Sequence, residues 1–192
     1  MIDINNRKDI LLLLLYTPGR ADQPNEPIVG RTRLVKMLFL FKKEALPHFR
    51  KGTDINENNF YEFFPWDFGP FSNQVYDDLE FFELRDFIRR SGTKEETLPE
   101  SAAEWQMWLS ATNPDSAMTQ LSEYEEEQFQ LTETGESFAK SLYLALDSSQ
   151  KNLLRAFRTQ TASVPLRALL RYVYENYPEQ TTRSQIREQV IA

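Results

Sequence analysis

Three acidic residues at close spacing, Asp77, Asp78 and Glu80, are the first group in this chain of 192 residues whose side chains could do chemistry together. Carboxylate oxygens are the ligands that hard divalent cations take, so these acids could serve a nuclease-like metal site. On one helix, however, Asp77 and Glu80 share a face that Asp78 largely leaves. No lysine stands nearby to complete such a site. The spacing therefore predicts no metal site.

Nucleophilic and acid–base catalysis has few residues to use in this sequence. There is no cysteine, and the single histidine, His48, follows Pro47 at the predicted end of a helix. The six glycines never cluster into a phosphate-binding loop. We therefore predict a protein that is not an enzyme, with no catalytic residues and no cofactor.

A nucleic-acid interface has better support, because basic and amide side chains stand at the starts of two predicted helices and on a predicted strand. Backbone N–H groups at a helix N-terminus favour phosphate, and Asn and Gln side chains can read adenine edges. Phosphate contacts would dominate such an interface, with little readout of bases. The candidate contacts to duplex DNA are Arg31, Arg33, Lys36, Asn73, Gln74, Arg89 and Arg90.

Acidic residues on the same predicted helix as Asn73 and Gln74 oppose this interpretation. That helix also carries four carboxylates, those of Asp77, Asp78, Glu80 and Glu83. Duplex DNA presents one phosphate charge per ~1.7 Å of its axis, so carboxylates in the groove are strongly unfavourable. Two hypotheses stay open: a DNA-binding transcriptional regulator, and a protein-interaction module that docks through its acidic surface.

The net charge of −7 is unevenly distributed along the chain. Residues 1–51 hold ten Lys and Arg against five Asp and Glu, and residues 148–192 hold seven against three. Residues 52–147 hold five against twenty-one. A polyanion would therefore have to approach through the two basic ends.

Membrane and export segments are not predicted. The apolar run ILLLLLY, residues 10–16, is far shorter than the ~20 residues that a membrane helix needs. Asp3 and Asp9 dilute the basic start of the chain, and no small-residue cleavage site follows. The lack of cysteine fits a reducing compartment. We predict a soluble, cytoplasmic protein that does not bind membranes.

Hydrophobic spacing and capping residues predict a mainly α chain with a small β component. The predicted order is a helix to Tyr16, a short extended piece at Ile28 to Gly30, a helix from Arg31, a third helix at about 73–84 with Ser72 as its cap, strands at 86–90 and 128–131, and a helix after Thr132. This order is typical of a winged helix-turn-helix, in which the two strands form the wing. We predict a winged-helix domain over residues 1–147 and a C-terminal helical extension over residues 148–192.

The stretch FFPWDFGPF, residues 63–71, is dense in aromatic side chains. Base-stacking platforms interleave aromatic residues with cations, whereas the charged residues in and beside this stretch are acids, so core packing is the better account. We predict a strand over residues 60–68 that bends away at Gly69-Pro70. The side chains predicted to share one core are Phe64, Trp66, Phe68, Val75, Leu79 and Phe82.

An insertion, residues 91–127, separates the two predicted wing strands and is far longer than a hairpin turn requires. A capping box at Ser101 to Glu104 predicts a short helix with Trp105 and Trp108 on one face. Such a short helix is not stable alone, so its apolar face must rest on this protein's own body or on a second chain. We predict the second, a partner-binding or homodimer interface centred on Trp105 and Trp108.

Three segments, GRTRLVKMLFLF, FYEFFPWDFGPFSNQVYDDLEFFELRDFI and FQLTETGESFA, resemble the small bacterial winged-helix proteins of the YwgA type, and more distantly the Panacea antitoxin domain. The tail PLRALLRYVYENYPEQTTRSQI is similar to the C-terminal segment of the YwgA-like group. The resemblance covers roughly residues 5–90 and 128–187. It implies a bacterial regulator, or an antitoxin-like or defence-associated partner protein, and it brings no catalytic residues.

Overall fold

The computed structural model describes residues 4–51, 53–92 and 127–191, and this part of the chain is mainly helical with two small antiparallel sheets. Its helices are α1 (Arg7–Tyr16), α2 (Arg31–Leu40), α3 (Leu46–Phe49), α4 (Asn73–Leu84), α5 (Glu133–Ala145), α6 (Ser148–Ser163), α7 (Leu166–Asn176) and α8 (Arg187–Ile191). Its strands are β1 (Ile28–Val29), β2 (Phe64–Trp66), β3 (Gly69–Phe71), β4 (Ile88–Ser91) and β5 (Gln128–Leu131). A π-helical turn, Phe41–Ala45, joins α2 to α3, and a 3₁₀ turn, Pro178–Thr181, follows α7.

The larger sheet has the strand order β1-β5-β4, and both of its pairings are antiparallel. Ile88 lies opposite Leu131, and both side chains are buried. The predicted pairing of strands 86–90 and 128–131 is therefore confirmed, although the first of them begins two residues later than predicted.

All of α1 after its first two residues is buried within the described part of the protein. Residues 10–15 are at most 1% exposed, because this helix has no polar face. Asn6 caps its first turn by accepting the N–H of Asp9, and Asp9 Oδ2 accepts the N–H of Asn6 in return. α1 packs along α5. Arg158 of α6 also reaches it, because Nε donates at 3.1 Å to the carbonyl oxygen of Leu14, 144 positions earlier in the chain.

The C-terminal helices pack against the same body as the helices before them. Leu154 of α6 belongs to the core cluster that contains α1, whereas α7 forms a second cluster with Phe39 and Leu40 of α2. Leu170 of α7 is fully buried in that second cluster. Residues 148–176 therefore complete the core that α1 and α2 begin.

Helix α4 spans residues 73–84, as the spacing predicts. Its inner side carries Val75, Leu79 and Phe82, all at most 5% exposed. Ser72 occupies the N-cap position, but its side chain caps no N–H group. Its hydroxyl is buried and makes no hydrogen bond within the described ranges. Burial of the inner side, rather than a side-chain cap, holds this helix in place.

The aromatic stretch forms a hairpin instead of the predicted single strand. β2 and β3 pair Phe64 with Phe71 and Trp66 with Gly69, which has a φ of 83°. Phe64 is 36% exposed and Trp66 is partly buried, so the prediction that both lie in the core of α4 is wrong. Phe68 packs against the second cluster, beside α7. A two-stranded hairpin has room for its aromatic side chains at the surface, and here they contact one another.

The start of α5 is pressed against the turn between α4 and β4. Thr132 caps α5 by accepting the N–H of Gly135 at 3.1 Å, and its own N–H donates to the Phe87 carbonyl at 3.0 Å. Phe87 in turn donates its N–H to the Phe82 carbonyl at 2.9 Å. A Cβ atom on Gly135 would lie 1.9 Å from the Phe87 carbonyl oxygen, so only glycine fits this contact.

Candidate docking face on helix α4 and the β4–β5 pair

Arg31 and Arg90, two of the residues predicted to contact DNA, meet at one buried carboxylate, that of Glu127. Arg31 Nη2 and Nε donate to Glu127 Oε1 and Oε2 at 2.7 and 3.0 Å, and Arg90 Nη1 donates to Oε1 at 3.1 Å. The backbone brings them together, because the Gly30 N–H donates to the Glu127 carbonyl at 2.8 Å and β4 pairs with β5. The Glu127 side chain is 7% exposed, so both guanidinium groups are engaged by an acid of the protein itself.

Glu83 of α4 extends this network. Arg90 Nε lies 3.3 Å from Glu83 Oε1, which makes an ion pair without the geometry of a hydrogen bond. Burial raises the pKa of the Glu83 carboxyl, Arg90 opposes the rise, and Glu127 adds to it. Glu80 lines the same cleft as Arg31, Arg90 and Glu83. Together with Glu127, these residues carry three formal negative charges against two positive ones.

Arg33, another DNA candidate, joins two distant helices. Its Nη1 donates to the carbonyl oxygens of Thr161 and Val164, both at 2.9 Å. These carbonyls stand at the C-terminal end of α6, where the helix has no N–H groups left to satisfy them. The contact indicates that Arg33 fastens α2 to the end of α6.

Lys36 is buried, and the prediction that it contacts DNA is wrong. Its residue is 3% exposed, and its ammonium donates to the Pro70 carbonyl at 2.8 Å. Every residue from 34 to 40 of α2 is buried, so this helix has no outward side at Lys36. Burial lowers the pKa of the Lys36 ammonium to about 7. Its role is to tie α2 to β3.

The stability of the protein should rise with pH above neutrality because of Lys36. The unfolded chain keeps the Lys36 proton up to the ordinary pKa of about 10.5, whereas the folded chain releases it above about 7. The unfolded state therefore binds more protons in this window, and stability increases with pH by up to about 1.4 kcal/mol per unit. In urea denaturation, the free energy of unfolding should increase by about 2 kcal/mol between pH 7.5 and pH 9. The Lys36→Met variant should lack this increase.

Lys43→Met is the matched control for this measurement. Lys43 is an exposed residue of the π-helical turn that follows α2. Its substitution should leave the pH dependence of the wild type in place. A Lys36→Met curve that runs parallel to the wild-type curve would contradict the assignment of the rise to Lys36.

Asn73, Gln74 and Arg89 complete the group of DNA candidates. Gln74 Oε1 accepts the N–H of Glu62 at 3.0 Å and so holds the segment before β2. Arg89 is exposed, and its Nη2 donates to Gln130 Oε1 on β5 at 2.5 Å. Asn73 is exposed at the start of α4. These residues offer the face one exposed amide and one exposed cation.

The outward side of α4 is acidic and ends in a leucine. Asn73, Asp77, Glu80 and Leu84 recur at helical spacing and are all exposed, Leu84 to 78%. We call these four residues the outer stripe of α4. The stripe reaches the α4 residues nearest the network of Arg31 and Glu127, and its exposed charges are those of two acids, Asp77 and Glu80.

Asp78 belongs to the interior and not to the outer stripe. Its side chain is 3% exposed and lies 2.8 Å from Arg7 Nε and 3.1 Å from Lys8 Nζ of α1. Asp77 is exposed whereas Asp78 is buried against α1, so the three acids do not converge. Among residues 4–51, 53–92 and 127–191, no group of three or more His, Asp and Glu residues is placed to hold a metal ion.

A cleft of about 470 Å³ lies between α4 and β4, and we call it the α4–β4 cleft. The ring of Tyr76 contacts both the Arg31 guanidinium, 5.1 Å from its centre, and the Phe71 ring, whose centre is 5.2 Å away. The cleft therefore adjoins the aromatic hairpin. Its lining is both apolar and charged, and consists of Arg31, Tyr76, Leu79, Glu80, Glu83, Leu84, Arg90 and Phe129.

Glu127 belongs to the candidate site but not to the residues predicted from the sequence, where it falls in the insertion, residues 91–127. A signal for it does exist. Side chains two residues apart on a strand share a face, so Glu127 lies on the side of β5 that buries Phe129 and Leu131. A carboxylate on a buried face needs cationic partners, and Arg90 on the paired strand is close enough to be one.

The insertion between β4 and β5 falls mostly outside the described ranges. Ser91 ends β4, and Glu127 directly precedes β5. Trp105 and Trp108 lie between them, outside the described residues, so the predicted interface at these tryptophans stays a prediction.

No helix within the described part of the chain is long and apolar enough to cross a membrane. Comparisons with protein-family models, with curated proteins and with solved structures find no match for the chain. The resemblance to the YwgA-like proteins therefore stays a prediction, and the candidate face has to be judged from its own geometry.

Proposed function

We propose that the chain is a winged-helix protein that works by binding a protein partner. The element order α1, β1, α2, α4, β4, β5 supports this architecture, together with the sheet order β1-β5-β4. In it α4 takes the position of the recognition helix, and the β4–β5 pair takes the position of the wing. The docking face consists of the outer stripe of α4 and the β4–β5 pair.

The pairing of Arg31 and Arg90 with Glu127 is the observation that carries this proposal. Affinity for DNA depends on cations that neutralise phosphates and release counterions. A phosphate on Arg31 would have to displace a carboxylate that is 7% exposed. An acid left buried without its partner costs about 3–5 kcal/mol. The two cations beside α4 are therefore poor phosphate ligands.

The remaining charge of the face suits a basic protein surface. Asp77 and Glu80 are exposed on the outer stripe, and Leu84 adds an exposed apolar contact. Complementary charge speeds encounter and excludes partners of the same sign. A partner surface that normally binds nucleic acid would fit, because the carboxylates of α4 would stand where phosphates stand. An antitoxin-like role, which the sequence resemblance implies, would work in this way.

Two probes of opposite charge test the proposal. We expect a short poly-arginine peptide to bind the wild-type chain at physiological salt, and a mixed-sequence DNA duplex to show no binding even at low salt. The double variant Asp77→Asn/Glu80→Gln should weaken peptide binding by about threefold to tenfold, because each exposed charge contributes about 0.2–1 kcal/mol. Fluorescence anisotropy of the labelled probes measures both affinities.

Glu175→Gln/Glu179→Gln is the matched control, since it removes two exposed acids near the end of α7. This variant should bind the peptide as the wild type does. Equal weakening by both double variants would show that only net charge matters and would overturn the docking face. Duplex binding that falls with salt and with Arg31→Ala or Arg90→Ala would support the DNA-binding regulator instead.

Removal of the Glu127 charge should turn the face into a weak phosphate binder. Glu127→Gln keeps the size of the side chain but releases Arg31 and Arg90 from their ionic contacts. We expect a loss of about 1–2 kcal/mol in the free energy of unfolding, because both arginines are partly exposed and can turn to water. Duplex binding should appear at low salt, with about one counterion released per freed arginine.

Urea denaturation and duplex anisotropy measure these two effects. Glu133→Gln, at an exposed position in the first turn of α5, is the control for the loss of one acid. If Glu127→Gln matches the wild type in both stability and duplex affinity, Glu127 does not restrain the two arginines.

A further inference from the structure

We propose that the α4–β4 cleft receives one arginine side chain of the partner, an inference that rests on the docking face proposed above. The cleft holds about 470 Å³, which lies within the ~300–1,000 Å³ of small-ligand sites. It opens beside the outer stripe of α4, so a side chain on a docked partner can enter it. Its lining decides which side chain that is.

The carboxylates of the cleft favour a cationic ligand. Glu80 and Glu83 stand three residues apart on α4 and therefore share one side of the helix. Glu83 Oε1 is buried beside Arg90 and accepts no hydrogen bond from the residues that the structure describes. The Glu83 side chain as a whole is still 24% exposed, so a ligand in the cleft can reach it. Two carboxylates at this spacing repel each other, and a bound cation relieves that repulsion.

The cations already in the cleft do not reverse this preference. Arg31 and Arg90 both donate to Glu127, so a carboxylate of the protein itself already offsets part of their charge. An anion such as phosphate would also meet Glu80 and Glu83 at close range. The cleft is therefore a poor site for a phosphate group.

The apolar walls favour arginine over lysine. Tyr76, Leu84 and Phe129 line the cleft together with the two carboxylates. A guanidinium group is flat, weakly hydrated and able to stack on an aromatic ring, and its stem of methylene groups packs on apolar side chains. The ammonium of lysine is compact and strongly hydrated, so it would lose more hydration on entry.

A titration with single amino-acid probes tests the inference. The probes are Nα-acetyl-arginine methylamide, its uncharged citrulline analogue, the corresponding lysine compound and inorganic phosphate. NMR of the arginine Nε–H signals follows binding at Arg31 and Arg90. We expect saturable shifts with the arginine compound at a Kd of about 1–10 mM, and binding at least about fivefold weaker for the citrulline and lysine compounds.

Substitutions in the cleft complete the test. Glu83→Gln should weaken binding of the arginine compound by about fivefold, and Glu80→Gln should also weaken its binding. The remote control Glu175→Gln should leave its Kd unchanged. Equal binding of the citrulline compound, tighter binding of the lysine compound, or saturable shifts with phosphate alone would each overturn the inference.

The two proposals can fail separately in these experiments. If binding of the poly-arginine peptide depends on Asp77 and Glu80 but the arginine compound does not bind in the cleft, the docking face is supported and the cleft assignment is wrong. If the arginine compound binds in the cleft but the peptide does not bind the outer stripe, the cleft stands and the docking face falls.

Discussion

Replacement of Gly135 by alanine is expected to lower the free energy of unfolding by about 3 kcal/mol, or to prevent folding. The new Cβ atom would lie 1.9 Å from the Phe87 carbonyl oxygen and 2.8 Å from its carbonyl carbon. The Phe87 carbonyl accepts the Thr132 N–H, so its retreat would also break the contact that seats α5. Overpacking of a tight contact typically costs about 1–3 kcal/mol and occasionally more.

Helix propensity alone predicts the opposite sign for this substitution. Alanine in a helix is favoured over glycine by about 1 kcal/mol, so Gly135→Ala would be stabilising if the contact with Phe87 were absent. Thr134→Ala is the control, because Thr134 is an exposed neighbour in the same turn of α5. It should change stability by a few tenths of a kcal/mol at most. Chemical denaturation, with circular dichroism to establish folding, measures both variants. Wild-type stability for Gly135→Ala would contradict the close approach of α5 to Phe87.

Truncation of Leu79 to alanine should cost about 3 kcal/mol of stability. Leu79 is 4% exposed on the inner side of α4 and belongs to the core cluster around α1. Loss of a buried leucine removes its transfer free energy and leaves a cavity, which together cost about 2–5 kcal/mol. Urea denaturation at constant pH provides the measurement.

Leu84→Ala makes the same chemical change on the same helix and serves as the control. Leu84 is 78% exposed, so its truncation should change stability by less than about 0.5 kcal/mol. A small loss for Leu79→Ala, similar to that of Leu84→Ala, would show that the inner side of α4 does not support the core.

The elements around the face could be predicted because their signals are local. Apolar residues at helical spacing predict α4, and Thr132 predicts the start of α5 as its N-cap. The structure confirms both. Short-range patterns of this kind do not depend on the rest of the chain. The pairing of β4 with β5 is not local, because the insertion separates the two strands, and it is predicted instead from the order of elements.

The burial of single side chains could not be predicted, because distant elements decide it. Lys36 is the sixth residue of α2, and a lysine side chain in a helix is normally at least partly exposed. Lys36 is buried because α7 and the β2–β3 hairpin pack against α2. No local pattern in the sequence of α2 predicts these contacts. Gly69-Pro70 likewise suits either a bend or the start of a strand, and only pairing with Phe64 to Trp66 selects the strand.

The complete burial of α1 has a consequence for how this chain folds during synthesis. Residues 10–15 form an unbroken apolar segment, yet the helices that cover it, α5 and α6, are made much later. The contact between Arg158 and Leu14 bridges 144 positions, and native contacts of such long sequence separation slow folding. Until α5 and α6 have been made, the segment ILLLLLY lacks part of its native cover. Incomplete chains therefore expose apolar surface that the finished protein buries, which makes them prone to aggregate.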